Sequence, residues 1–242
     1  MTVSIVVPAF NEEKLLGRTL SAIRQAAEAF AERGWDWELV VCDNNSTDRT
    51  AAIAREQGAK VVFEPLNQIA RARNTGAAAA RGDWLLFIDA DSEPDRALFA
   101  EASGLIARGD VLAAGSTVRM DGELGRVGTG LLAVWNWLSR TLRWLAGSFV
   151  LVEASAFREV GGFNTAFYAG EEIDLSRRLK RLARRRGRRI AIISNQALRS
   201  SPRRMLLYSR GELLRFFVRA ALRPWRTTGS RAGCAMWYDG KR

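Results

Sequence analysis

Short apolar runs alternate with longer amphipathic stretches from Val3 to Ile88. Val3–Val7 is β-branched and predicts a strand. Pro8-Ala9-Phe10-Asn11 turns the chain, and Asn11-Glu12-Glu13 opens a helix. Leu15, Leu16, Leu20 and Ile23 recur there at helical spacing to about Phe30, and Gly34 stops it. Glu38–Cys42 is a second strand. Asp43–Asp48 is a polar loop, followed by a helix from about Thr47 to Gln57 and a stop at Gly58. Lys60–Phe63 is a third strand, Ala70–Ala80 a helix ended by Gly82, and Leu85–Ile88 a fourth strand, apolar throughout and so buried on both faces. Strands alternating with helices predict an α/β fold with a mostly parallel central sheet wound by right-handed crossovers.

The pattern changes further on. Leu131–Leu145 is helical, with Leu131, Trp135, Leu138, Leu142 and Leu145 on one face and Asn136, Arg140 and Arg143 on another. Such a stretch either packs on the sheet or lies in a membrane interface with its Trp residues as anchors. A second amphipathic helix is expected over Met205–Leu222, and residues 223–242 read as a loose basic tail. Residues 1–222 are expected to form a single domain, in two halves of 1–118 and 119–222.

Composition narrows the chemistry. The 242 residues contain no histidine, which excludes a Ser-His-Asp triad, a histidine base and histidine-ligated metals. Cys42 and Cys234 make neither a disulfide framework nor a zinc spacing, and a reduced, cytoplasmic setting fits. Residues 1–174 carry 17 basic and 24 acidic side chains; residues 175–242 carry 20 basic and 2 acidic. A basic C-terminal third points to an anionic membrane surface or nucleic acid. No nucleic-acid motif accompanies it, so nucleic acid is not the expected partner. Neither a secretory signal nor an uninterrupted apolar span is present, so any membrane contact is expected to be peripheral, on the inner face.

Polar loops follow three of the strands: Pro8–Glu12, Asp43–Asp48 and Asp89–Asp91. In a parallel sheet these share the edge where ligands bind. Asp89-Ala90-Asp91 offers hard oxygen ligands suited to Mg²⁺ or Mn²⁺, or else caps a helix starting within Ser92-Glu93-Pro94-Asp95. Arg71 and Arg73, near a helix start, suit either an anion or a solvated face. Glu171, Glu172 and Asp174 favour a helix dipole, and as clustered carboxylates they also raise one another's pKa, which suits a general base. Neither a Gly-x-Gly-x-x-Gly turn nor a Walker A loop is present, which argues against dinucleotide and P-loop enzymes.

Five of these segments together resemble the family 2 glycosyltransferases, inverting enzymes of GT-A fold. They are Val3–Glu12, Asp43–Thr50, Ala72-Arg73-Asn74-Thr75-Gly76, Asp89-Ala90-Asp91, and Gly161-Gly162-Phe163 with Gly170–Leu175. The resemblance implies a nucleotide-sugar donor, of which a UDP-sugar is the first expectation, and a glycan or lipid-linked acceptor. The first half would bind the donor and the second the acceptor. Pro8, Ala9, Phe10 and Glu12 would line the nucleotide pocket and Asp43 would read the base. Arg73 and Asn74 would meet the diphosphate. Asp91 would hold Mn²⁺ or Mg²⁺, with Asp89 on the ribose or the metal. Glu172 would be the base, beside Glu171 and Asp174. Water, the phosphates, or Asn195, Ser200 or Ser201 would fill the place of the family's late histidine ligand. The resemblance also allows a binding protein of this fold without transfer.

Overall fold

The computed structural model describes residues 1–122, 125–203, 228–230 and 234. In chain order the elements are β1 (Thr2–Ala9), α1 (Leu16–Ala31), β2 (Asp36–Asp43), α2 (Thr50–Glu56), β3 (Lys60–Phe63), α3 (Ile69–Ala79), β4 (Trp84–Ile88), β5 (Ser92–Glu93), α4 (Arg96–Arg108), β6 (Val111–Met120), α5 (Gly125–Leu142), β7 (Phe149–Glu153), α6 (Ala154–Glu159), α7 (Glu171–Arg185) and β8 (Arg189–Ser200). The expected helix over Met205–Leu222 lies outside the described residues.

One sheet runs through these residues in the order β3-β2-β1-β4-β7-β6-β8-β5. The four predicted strands are parallel and adjacent. Beyond them β7 is antiparallel to both β4 and β6, and β6 and β8 are parallel again. The strands have two buried faces. Val3, Ile5 and Val7 pack toward α1 and α4, where Phe30 stacks on Phe99. Val6, Leu85 and Phe87 pack in the cluster that holds α7, with Phe87 edge-on to Phe163. Gly82 does not end a helix by left-handed geometry. A Cβ there would lie 2.6 Å from Ser4 N, so glycine is needed for close approach to β1.

Local chemistry moves several boundaries. Glu12 O accepts from Leu15 N and Leu16 N, so a turn precedes α1. Asp48 meets the start of α2, which begins at Thr50 and not near Thr47, and accepts from Thr50 N at 2.9 Å. Asp95 caps α4, accepting from Leu98 N at 2.8 Å, while Ser92-Glu93 forms β5. Asp89 and Asp91 are therefore not that helix's cap.

The inward face of α5 differs from the hydrophobic face read from the sequence. Asn136 turns toward the sheet, where Nδ2 donates to Val118 O at 2.9 Å and Oδ1 accepts from Val118 N at 3.0 Å. Val118 lies at an irregularity in the β6–β8 register, where ladder groups need another partner. Leu131, Val134 and Trp137 consequently face outward. The tail is not uniformly loose either: Cys234 is fully buried and Thr228 O accepts from Tyr168 N.

Candidate active site

The sheet order brings the three polar loops side by side. Register pairs Pro8 with Cys42 and Ala9 with Asp43, and β4 ends on the other side of β1. The first two loops are bound together. Asn11 N donates to Ser46 Oγ at 3.0 Å, Thr47 N donates to Asn11 Oδ1 at 2.8 Å, and Asn44 N donates to Ala9 O at 2.8 Å. Asn45 sits at φ +64°, a left-handed geometry that Asn tolerates better than most residues. Asn44 is buried and holds the following loop through Glu64 O, Leu66 O and Gln68 N.

Pro8 and Ala9 are buried at the end of β1, and Phe10 is half-buried. Asp43 is 7% exposed, with Oδ1 accepting from Ser46 N at 3.0 Å. Glu12 is buried and pairs with Arg203 at 2.6 Å, which joins the first loop to the segment after β8.

Arg73, on α3, is the hub between the loops and α7. It is 1% exposed. Its Nη1 donates to Glu171 Oε1 at 2.6 Å, and its Nη2 donates to Asp89 Oδ1 and to Gly147 O, both at 2.9 Å. The guanidinium lies 5.1 Å from the centroid of the Phe163 ring. Burial works against its charge, but Asp89 and Glu171 outweigh that and hold it protonated well above the ordinary arginine value. A buried cation needs counter-charges. In this structure Arg73 finds them within the protein instead of standing open to a diphosphate. Among the described residues, Arg73 Nε and Glu171 Oε2 are buried without a hydrogen-bond partner.

Asn74 is likewise committed to the protein. Its Nδ2 donates to Phe163 O at 2.8 Å and its Oδ1 accepts from Phe163 N at 2.9 Å. It clamps the Gly161-Gly162-Phe163 loop. Gly162 is required there, because φ is +66° and a Cβ would lie 2.7 Å from Asn74 Oδ1. Gln68 holds the next stretch, donating through Nε2 to Thr165 O and Phe167 O.

α7 begins at Glu171, with Gly170 left-handed before it. Burial, then the neighbouring Glu171 charge, raises the Glu172 pKa from 4.5 to about 8, against an opposing pull from Arg73. A methyl group added at Gly147 would lie 3.2 Å from Arg73 Nη2 and 3.5 Å from Glu172 Oε1, so the Glu172 carboxylate flanks the Arg73 hub. Asp174 is set apart: it pairs with Arg178 at 2.7 Å. Asp89, Asp91, Arg73, Glu171 and Glu172 all line one cleft of about 290 Å³; Asp174 does not.

Gly147 and Ser176 escaped sequence reasoning. Ser176 Oγ donates to Glu172 O at 2.6 Å and accepts from Leu145 N at 2.9 Å, fixing the Gly147 loop to α7. A serine inside an amphipathic helix, free to bond the carbonyl four residues back, was the available signal.

Residues 4–158 match the sequence model of the family described as Glycosyl transferase family 2. The chain belongs to that family. A glycosyltransferase of Mycobacterium bovis is 34% identical over 143 residues, 57% of this chain and 60% of that one. A TPR repeat-containing protein of Synechococcus elongatus is 39% identical over 92 residues, 38% of this chain and 21% of that one. The chain thus spans 60% of the first of these relatives and 21% of the second. A Pyrobaculum calidifontis mannosyltransferase, solved with GDP-Man and Mn²⁺, superposes with a TM-score of 0.66 at 21% identity, over 90% of this chain and 60% of that one. Glucosyl-3-phosphoglycerate synthase of Mycobacterium tuberculosis, with Mn²⁺, UDP and phosphoglyceric acid, gives 0.59 at 24%, over 82% and 70%. These likenesses bear out the expected GT-A fold.

The donor atoms fit a family 2 metal of one kind. No group of three or more Cys, Asp or Glu side chains gathers to hold an ion among the described residues. Asp89 and Asp91 line the cleft together with Ser200 and Ser201, whereas Asn195 is exposed and does not. Two carboxylates and hydroxyls suit Mg²⁺ or Mn²⁺ whose shell is completed by water and substrate phosphate, not an all-protein cage.

Proposed function

We propose that the chain transfers a glycosyl group from a nucleoside-diphosphate sugar to an acceptor hydroxyl, with inversion. UDP-sugars are the first donors to try, and the acceptor is a glycan or a lipid-linked hydroxyl. The convergence of Asp89, Asp91, Arg73, Glu171 and Glu172 on one cleft carries this reading. Nucleotides and Mn²⁺ in the solved relatives support it.

Pro8, Ala9, Phe10 and Asp43 form the nucleotide side, where Asp43 accepts a hydrogen bond from a ring N–H of the base. Asp91, with Asp89 and the Ser200–Ser201 hydroxyls, would hold Mn²⁺ or Mg²⁺, which would supply positive charge to offset the leaving diphosphate. Glu171 cannot move freely, because Arg73 fixes its Oε1. Glu172 is the base: its raised pKa suits a group that must take a proton from the acceptor hydroxyl as that oxygen attacks the sugar C1. A single displacement from the face opposite the diphosphate inverts the anomeric centre. Arg73 orients Asp89 and Glu171, and Asn74 holds the Phe163 loop beneath them. Residues up to 118 serve the donor and those from 119 to 222 the acceptor and base, within one catalytic domain.

Calorimetry against UDP-, GDP- and dTDP-sugars with Mn²⁺ identifies the donor. Glu172→Gln should then abolish transfer while sparing donor affinity. Undiminished turnover in that variant would refute the base assignment. Donor binding without wild-type transfer to any acceptor would leave a nucleotide-sugar-binding protein.

A further inference from the structure

α5 leaves an apolar stripe uncovered. Leu131 is 40% exposed, Val134 55%, Trp137 56% and Leu142 38%. These account for four of the seven large exposed hydrophobic side chains among the described residues. Contiguous exposed apolar groups of this kind mark an interaction surface. The stripe ends against cations. Arg143 follows Leu142, and Lys180 Nζ of α7 donates to Leu142 O. Arg177, Lys180 and Arg184 recur at helical spacing along α7, with Arg181 exposed between them. Lys180 loses some of its proton affinity through burial and through repulsion from Arg184, Arg143 and Arg177. No ion pair of Arg143, Arg177, Lys180 or Arg184 with a carboxylate occurs among the described residues. Four like charges held together with no ion pair among the described residues, beside an apolar stripe, complement a surface that is anionic outside and apolar beneath.

We propose that α5 and α7 dock the protein on an anionic phospholipid bilayer. Val134, Trp137 and Leu142 enter the interface, and Arg143, Arg177, Lys180 and Arg184 face the headgroup phosphates. Leu132 and Trp135, on the inward side of the same helix, line the cleft. An acceptor hydroxyl on a membrane lipid would reach Glu172 along α5; that corollary alone rests on the transferase reading, and the docking does not.

Sedimentation with vesicles, without donor or metal, tests the docking. The full chain should bind phosphatidylcholine vesicles containing 30% phosphatidylglycerol and bind pure phosphatidylcholine far more weakly. The double variant R177Q/R184Q should lose about 30-fold in affinity, on the basis of roughly 1 kcal/mol per surface cation. Brominated lipid should quench the wild-type fluorescence, and Trp137→Phe should remove most of that quenching. This second readout places the helix even if other basic residues add affinity. Equal binding to neutral and anionic vesicles, no binding, or quenching unchanged in Trp137→Phe would overturn the proposal. So would RNA binding, abolished by R177Q/R184Q, with no vesicle binding.

Discussion

Removing the Glu172 charge should stabilise the protein at high pH. An unfolded glutamate titrates near 4.5 and this one near 8, so between those values the folded state binds a proton that the unfolded state does not. Stability then falls as pH rises through that window, because the folded protein must finally ionise a carboxyl that burial and Glu171 hold protonated. At about 1.4 kcal/mol per pKa unit, a rise from 4.5 to about 8 sets a ceiling of roughly 5 kcal/mol. Glu172 as a residue keeps some exposure and lines a cleft, so water relieves part of this, and we expect about 2 kcal/mol. Glu172→Gln should therefore gain about 2 kcal/mol on the wild type between pH 5.5 and pH 9, while losing transfer. The amide sets a constant offset, so the slope with pH is the quantity to read. Urea melts across that range, without donor or metal, measure it. Parallel stability curves, or a variant that falls further behind as pH rises, would refute the reasoning.

Arg73→Met leaves Asp89 and Glu171 without their cation and should cost about 3–5 kcal/mol in a urea melt, with transfer abolished. Arg73→Lys should recover little of it, because one ammonium cannot span Glu171, Asp89 and Gly147 O as the guanidinium does. Asp91→Asn should remove the Mn²⁺-dependent gain in donor affinity by calorimetry, and undiminished Mn²⁺ dependence would show that the ion is held elsewhere. Gly147→Ala crowds the fixed Arg73 Nη2 and should cost about 1–3 kcal/mol by melting. It should also lower kcat more than it raises KM.

Much of the first half was legible because each strand is a continuous apolar run that ends in a polar loop. That pattern is local. The Asn45 turn and the joint placement of Asp43, Asp89 and Asp91 follow from it once the strands are parallel. The second half resists the same reading. β6 carries small and polar residues in Ala113–Thr117, and β7 spans only Phe149–Glu153 before α6 begins. Its antiparallel insertion between β4 and β6 depends on partners far away in sequence. Hydrophobicity alone also set α5 by its leucines, whereas the fold turns Asn136 inward to complete the bonding of Val118. The motif around Arg73 was visible, but one of its two carboxylate partners, Glu171, lies 98 residues on, beyond any local pattern.

That long-range pairing gives a physical difference between two residues that the family resemblance alone had told apart. Glu171 and Glu172 are adjacent, alike in chemistry, and both near a helix N-terminus. Arg73 bonds only the first, fixing its Oε1 at 2.6 Å. The second is raised by burial and then by that fixed charge, with weaker relief from Arg73. One cation therefore faces three carboxylates, Asp89, Glu171 and Glu172, and cannot neutralise them all. The remaining negative charge is lowered either by a proton on Glu172 or by a cation near Asp89 and Asp91. An anionic diphosphate arriving alone would add to the repulsion, so on the proposed reading a divalent ion would have to arrive with the donor.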